Sequence, residues 1–291
     1  MLGRLLPLVF GLLPQHAISR VIHALARWRW RPWKNLLIRV FTRVFNVNLT
    51  EAANAGAETY ESFNAFFTRA LTPGSRPLAS EPGVIASPVD GHVSEAGSIT
   101  AGRLIQAKGR DYGVVELLGG DATIAEPFLE GRFATLYLSP RDYHRIHMPL
   151  AGDLERMFHI PGRLFGVSRP LVRHVPGLFA RNERLVTLFE TAAGPMALVL
   201  VGAIGVGSIE TVWAGEITPP RGQRIRSWDY RHDPLNLAAG EEMGRFNMGS
   251  TVIVLFANPA IEWNTDLTAE QPVQMGRAIG RLGPETTPDP N

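Results

Sequence analysis

Three separated segments of this 291-residue chain carry side chains able to make and break bonds. In Phe246-Asn247-Met248-Gly249-Ser250-Thr251, a Gly-Ser peptide stands where a glycine-bearing loop enters the apolar run Val252 to Phe256. Glycine has no Cβ, so the Gly249 carbonyl is open, and its backbone tolerates the dihedrals that attack by the next hydroxyl requires. Ser250 is therefore a candidate nucleophile against its own chain; the plain alternative is a Gly-Ser turn before a strand. Ser87-Pro88-Val89-Asp90-Gly91-His92 reads as a tight turn presenting the Asp90 carboxylate. Tyr143-His144-Arg145-Ile146-His147-Met148-Pro149 holds two of the chain's eight histidines.

An aspartate, a histidine and a serine on separate loops can form a triad: the carboxylate fixes the imidazole tautomer, and the imidazole takes the hydroxyl proton. Asp90, His147 and Ser250 are the candidates, with His144 as a second imidazole. Spacing leaves other readings open. The histidines could be a packing pair, Asp90 could serve only its own turn, and Asp90, His92, His144 and His147 could ligate zinc. Neither histidine has an acidic neighbour in the His-Glu-x-x-His manner, so no metal is expected.

These segments resemble the bacterial, pyruvoyl-dependent, membrane-associated phosphatidylserine decarboxylase proenzymes. The resemblance rests on Ser-Pro-Val-Asp-Gly at 87–91, Tyr-His-Arg-Ile-His-Met-Pro at 143–149 and Pro-Gly-Arg-Leu-Phe at 161–165. It continues in Val-Gly-Ala-Ile-Gly-Val-Gly-Ser-Ile at 201–209 and Gly-Glu-Glu-Met-Gly-Arg-Phe-Asn-Met-Gly-Ser-Thr at 240–251, and it spans roughly residues 1 to 265. Two departures are visible: Met248 stands where leucine is commonest, a volume-conserving change, and Ala239 stands where a lysine is usual, which removes a charge near the loop.

The resemblance implies two stages. In the first, His147, oriented by Asp90, deprotonates Ser250. Its oxygen attacks the Gly249 carbonyl, and elimination from the resulting ester splits the chain into a large β chain, 1–249, and a small α chain, 250–291. Residue 250 becomes dehydroalanine, then loses ammonia to water and ends as a covalent pyruvoyl group, the only cofactor. In the second stage the pyruvoyl ketone forms a Schiff base with phosphatidylserine and accepts the electron pair left by CO2. His144 returns a proton before phosphatidylethanolamine leaves. The implied partners are phosphatidylserine, an anionic membrane surface and the protein's own two chains; a homodimer is compatible, and no nucleic acid is expected.

The elements that must position these residues divide unevenly. Residues 1–50 hold eight basic residues and no acidic one, whereas the other 241 hold 21 basic against 27 acidic. Residues 18, 21, 22, 25 and 28 form an apolar helical stripe with arginines and Trp28, Trp30 and Trp33 beside it, as suits an interfacial helix on anionic lipid. Packing of that helix on its own domain is the other reading. The run Leu5 to Pro14 is about half the ~20 residues of a membrane span, and no signal-peptide cleavage site follows it. The expected location is the cytoplasmic face of a bacterial cell membrane, peripherally bound. With no cysteine, disulfides and thiol nucleophiles are excluded.

Beyond residue 60, short apolar runs bounded by Gly and Pro read as strands: 84–86, 92–94, 134–138, 185–189, 197–201, 208–213 and 252–256. One further helix is expected within 59–70, with Phe63, Phe66 and Phe67 on one face. Gly202, Gly205 and Gly207 suggest close backbone packing or a surface near a lipid head group; Arg163 and the loop after it could bind phosphate. The fold class is α+β, a β-rich catalytic core with N-terminal amphipathic membrane-facing helices. Its expected divisions are a helical segment at 1–59, the core at 60–265 and a disordered tail at 266–291. Two other function classes remain: a serine hydrolase using Asp90, His147 and Ser250 on an external ester, which lacks the Gly-x-Ser-x-Gly elbow, and a non-enzymatic membrane-surface module, which leaves the three motifs unused.

Overall fold

The computed structural model describes residues 13–107, 109–205, 208–219, 222–249 and 251–283. Most of the leading leucine cluster, Gly207, Ser250 and residues 284–291 lie outside them.

The candidate scissile bond precedes β15 (Thr251–Phe256), whose six residues are all buried. A strand covered on both faces reads as an unbroken apolar run, and Val252 to Phe256 is one. It pairs antiparallel along its whole length with β9 (Gly194–Val201) on one side and β5 (Arg132–Tyr137) on the other. These sit inside a nine-stranded sheet that continues from β9 to β8 (Arg184–Thr191), β7 (Gly152–Ile160) and β12 (Arg226–Asp229). From β5 it runs to β2 (Gly91–Ser98) and β17 (Pro272–Val273), and β13 (Leu235–Leu237) also pairs with β7.

A second sheet has the order β11 (Gly215–Thr218), β10 (Ser208–Thr211), β14 (Glu242–Asn247), β6 (Arg145–His147). Since β14 runs directly into residues 248–250 and then β15, the candidate bond lies on the link between two sheets. A third sheet joins β1 (Val84–Ala86), β18 (Ala278–Leu282) and β16 (Ile261–Trp263), and β3 (Arg103–Ala107) pairs with β4 (Arg110–Gly113) as a hairpin.

All seven expected strands are present. Those missed, among them β6, β7, β14 and β18, carry charged or small residues that mask alternation; β7, for instance, is interrupted by a register shift between Leu154 and Arg156. The disordered tail expected from residue 266 is corrected: β17 pairs with β2, β18 is bonded on both edges, and Ile279 is buried. Its polar composition concealed two short strands whose partners are distant in sequence.

Two N-terminal helices precede the sheets. Helix α1 (Gln15–Arg27) ends before Trp28, and α2 (Arg31–Phe45) begins with Pro32 in its first turn and stops at Asn46, whose φ of +51° is a left-handed cap. Helix α3 (Phe63–Phe67) is capped by the Ser62 hydroxyl, which accepts from Ala65 N. Phe63, Phe66 and Phe67 bury themselves with Ile38, Val47 and Tyr60, forming a second core apart from that of the sheets. By packing, α3 belongs with the helices, across the boundary expected at residue 60.

Polar contacts dock this helical unit on the sheets. Gln15 Oε1 accepts from Leu164 N at 2.8 Å, Ser19 Oγ from Gly205 N at 3.3 Å, and Arg27 and His23 both reach Glu216. Gly205 faces Ile22 of α1, while Gly202 lies against the Glu183 carbonyl. Close packing is thus the part that Gly202 plays, while Gly205 serves a left-handed turn with φ +82°.

Leu255 is fully buried in the central strand and Val40 is half exposed on α2. Leu255→Ala should lower the unfolding free energy by about 2–5 kcal/mol, and Val40→Ala should change it by less than about 0.5 kcal/mol. Urea denaturation of both checks this, and equal effects would contradict the placement of β15.

Candidate active site

The link between β14 and β15 is held in an uncommon backbone conformation. Met248 has φ +87° and Gly249 φ +36°. Left-handed φ costs a non-glycine residue about 1–3 kcal/mol, so Met248 is strained, while Gly249 adopts it freely. A Cβ at residue 249 would stand 3.3 Å from His144 Cε1 and 3.7 Å from Phe67 Cζ. A side chain at 249 would therefore crowd the imidazole, and glycine leaves that space open. Ser250 itself is outside the described residues.

His144 precedes β6 and is fully buried. Its ring stacks on Phe67 of α3, with centroids 4.0 Å apart and planes 20° from parallel. Among the described residues neither ring nitrogen has a partner at bonding geometry. Burial, assisted by the positive charge of Arg69, pushes its pKa down to about 3, and the Ser139 and Pro140 carbonyls oppose this only weakly. His144 is a neutral imidazole at any physiological pH.

His147 is held differently. Nδ1 lies 2.8 Å from the Gly240 carbonyl and Nε2 3.1 Å from the Tyr143 hydroxyl. A carbonyl only accepts, so Nδ1 carries the proton, and Nε2 offers its lone pair to the tyrosine O–H. Burial again lowers the pKa, with the Gly240 bond opposing. Burial raises that of Tyr143 to about 12, so the phenol keeps its proton.

Asp90 does not orient His147 by a hydrogen bond, contrary to the sequence reading. Its carboxylate is gripped by Arg76 through Nε at 2.9 Å and Nη2 at 2.6 Å, and it accepts from Met275 N at 2.9 Å. A guanidinium fork binds a carboxylate more strongly than a neutral imidazole N–H does, and the Gly240 carbonyl takes the tautomer-fixing place instead. The charge of Asp90 still favours protonated His147 from a distance.

The structure thus brings His144 to Gly249, His147 to Tyr143 and Gly240, and Asp90 to Arg76. Sequence reasoning missed Phe67, Tyr143, Gly240 and Arg76 as parts of the site. Tyr143 lies within a motif and could have been found there; nothing in the spacing of Arg76 pointed to Asp90.

Beside Gly249 opens a cavity of about 400 Å³ lined by Phe41, Phe45, Phe67, Leu171 and Met248. Its walls are mainly apolar and come from both the helical unit and the sheets. A chain-like apolar ligand fits this lining, with its polar end toward residues 248–249.

Comparison with known proteins gives concordant results. The family model described as phosphatidylserine decarboxylase matches residues 63–281, and a second, described as PSD, matches residues 11–46. The phosphatidylserine decarboxylase proenzyme of Methylococcus capsulatus is 55% identical over 270 residues, covering 92% of this chain and 93% of its own. Those of Nitrosococcus oceani and Azotobacter vinelandii are each 54% identical, over 288 and 285 residues, covering 96% and 97% of this chain and 91% and 99% of their own.

The burial of His144 has a pH signature. Below pH 6.5 the unfolded chain takes up a proton at this residue that the folded chain refuses until about pH 3. Its contribution to stability is complete above 6.5 and is lost as pH falls toward 3. His144→Asn should flatten the dependence of unfolding free energy on pH by about 1.4 kcal/mol per unit between roughly pH 6 and 4. Urea titrations across that range measure it; an unchanged slope would mean a solvated ring.

Proposed function

The chain belongs to the phosphatidylserine decarboxylase family, and from that premise we propose that its maturation breaks the Gly249–Ser250 bond to generate a pyruvoyl group at residue 250. The chain is a phosphatidylserine decarboxylase formed as a proenzyme. The observation that carries the site assignment is the left-handed Gly249 at the entrance to β15, at a position where any side chain would crowd the His144 ring.

In this reading Ser250 is the nucleophile and His147 the base: the bond from Nδ1 to Gly240 leaves Nε2 as the basic nitrogen, which exchanges the Tyr143 hydroxyl for that of Ser250. Asp90 acts through its field and by fixing the small chain, since its Oδ1 accepts from Met275 N. His147 takes the serine proton as the oxygen–carbonyl bond forms and passes it to the Ser250 nitrogen as the peptide C–N bond breaks; elimination from the resulting ester then releases the Gly249 carboxylate. The pyruvoyl group supplies an electron-accepting carbonyl for loss of CO2. The surroundings of residue 249 fit such a group: an approach from the apolar cavity that Gly249 lines and a buried imidazole for proton return. His144 is assigned the proton return, which for a neutral ring means giving its one N–H proton to the α-carbon and taking a proton back at the other nitrogen, so that no charge stays on the buried ring.

Both chains stay together after cleavage in this scheme, because β15 is bonded on both edges to the large chain and β17 and β18 pair with β2 and β1. Leu36, Val40 and Val44 form an exposed apolar row on α2, with Arg39 and Arg43 alongside and Trp28 and Trp30 exposed before it. This face, together with the phospholipid substrate, supports peripheral attachment to the cytoplasmic face of a bacterial membrane. Among the described residues no helix is long and apolar enough to cross one.

Intact mass spectrometry of the purified protein should give pieces of 249 and 42 residues, the smaller one blocked to amino-terminal sequencing. Ser250→Ala should leave one chain without CO2 release; release from that variant would place the carbonyl elsewhere.

The nearness of His144 to Gly249 favours a second division of labour, in which His144 is the processing base. The two readings separate cleanly. With His147 as base, His147→Ala blocks cleavage, and His144→Ala cleaves but loses at least about 100-fold in turnover, the scale of general acid–base catalysis. Blocked cleavage in His144→Ala would exchange the roles.

A further inference from the structure

Asn247 lines a second, polar cavity of about 440 Å³ that shares no lining residue with the apolar one. Five arginines line it: Arg27, Arg29, Arg69, Arg145 and Arg245. Four have a carboxylate within 3.0 Å: Arg27 with Glu216, Arg29 with Glu61, and Arg145 and Arg245 with Glu242. Arg69 has none among the described residues. It is 4% exposed, one of its terminal nitrogens donates to the Arg141 carbonyl, and its Nε and Nη1 have no acceptor. The Phe66 ring, 5.5 Å from its guanidinium carbon, offers cation–π attraction but no hydrogen bond.

A buried guanidinium with no carboxylate at bonding distance is costly, Asp90 and Asp142 acting on it only through space, and unsatisfied polar groups of this kind concentrate at functional sites. Arginine is the side chain suited to oxyanions of phosphorus, and the cavity is roomy enough to admit one with its water. With Glu216 and Glu242 counted beside Glu61 and Glu210 of the lining, five guanidiniums face four carboxylates, and Arg69 is the one left without a bonded partner among them. The rim is open where Arg29 and Glu61 pair in solvent.

We propose that this cavity is an anion site that takes a phosphate group, with Arg69 as the buried ligand. It is separate from the apolar cavity, and binding there does not depend on the decarboxylation scheme. Phosphate in this place also offsets the positive field of Arg69 at His144. The same chemistry is offered by free phosphate and by the headgroup of an anionic lipid that is not a substrate.

The test uses the cleaved, full-length enzyme. Thermal unfolding is followed with inorganic phosphate from zero to tens of millimolar at constant ionic strength, and vesicle co-sedimentation with phosphatidylglycerol in phosphatidylcholine. The expected result is a phosphate-dependent rise in Tm of several degrees that Arg69→Met abolishes. Without phosphate, Arg69→Met has a Tm equal to or above that of the parent, because it removes an uncompensated charge. Ala70→Glu, on the exposed rim, leaves Arg69 in place and should weaken phosphate binding at least tenfold. If inorganic phosphate has no effect but Arg69→Met reduces binding to phosphatidylglycerol vesicles, the source is the lipid headgroup. A phosphate effect that survives in both variants, or the lack of any Arg69-dependent binding in either assay, overturns the proposal. So does a fall in Tm of Arg69→Met in phosphate-free buffer, since it would make the guanidinium a structural group.

Discussion

The structure turns on the junction at Gly249, where a loop in left-handed conformation meets a strand locked into the middle of a sheet. On the strand side, six consecutive residues are buried and bonded to neighbours on both edges. On the loop side, Met248 pays for a φ of +87°, and Gly249 leaves open the space beside an imidazole. Strain is thus concentrated at Met248, while the strand from Thr251 onward is fixed. A new chain end formed here has nowhere to go, and a reactive group on it stays aligned with the side chains around it.

Around that junction, burial sets the electrostatics. Both histidines are pushed toward the neutral form by desolvation, His144 furthest because no hydrogen bond of good geometry compensates. The His147 tautomer is fixed by a backbone carbonyl. That frees Asp90 for a different task. Its oxygens hold Arg76 and the Met275 amide, and Arg76 also reaches Glu51. One carboxylate thereby joins the segment after the helical unit to the segment that follows the candidate cleavage point.

Much of this architecture was legible from the residues. The buried strands announced themselves by apolar runs, and the glycine before Ser250 was visible as a weak point because its chemistry is local. What could not be read depended on partners far apart in the chain. β18 looked like tail because Ala278 to Leu282 contains a glycine and an arginine, yet it bonds to β1, nearly two hundred residues away. Phe67 looked like one face of an amphipathic helix, and only the fold shows that this face reaches His144. The link between Asp90 and His147 was inferred from a general triad geometry; Arg76, invisible in any motif, captured the carboxylate first.

The placement of α3 ties surface to chemistry. Its Phe63 and Phe66 are packed against Phe41 of α2, whose opposite side carries the exposed Leu36, Val40 and Val44, while Phe67 lies on His144. The same unit is fixed to the β10–β11 hairpin through Glu216, β10 pairs with β14, and β14 leads into the strained loop. A displacement of the helices therefore cannot leave the site unchanged: it must either move the Phe67 ring off His144 or break the Arg27–Glu216 pair. With the apolar cavity walled by Phe41 and Phe45 on one side and Leu171 on the other, the helices form part of the site. Access for an apolar chain and the position of the imidazole are consequently set by the same set of contacts.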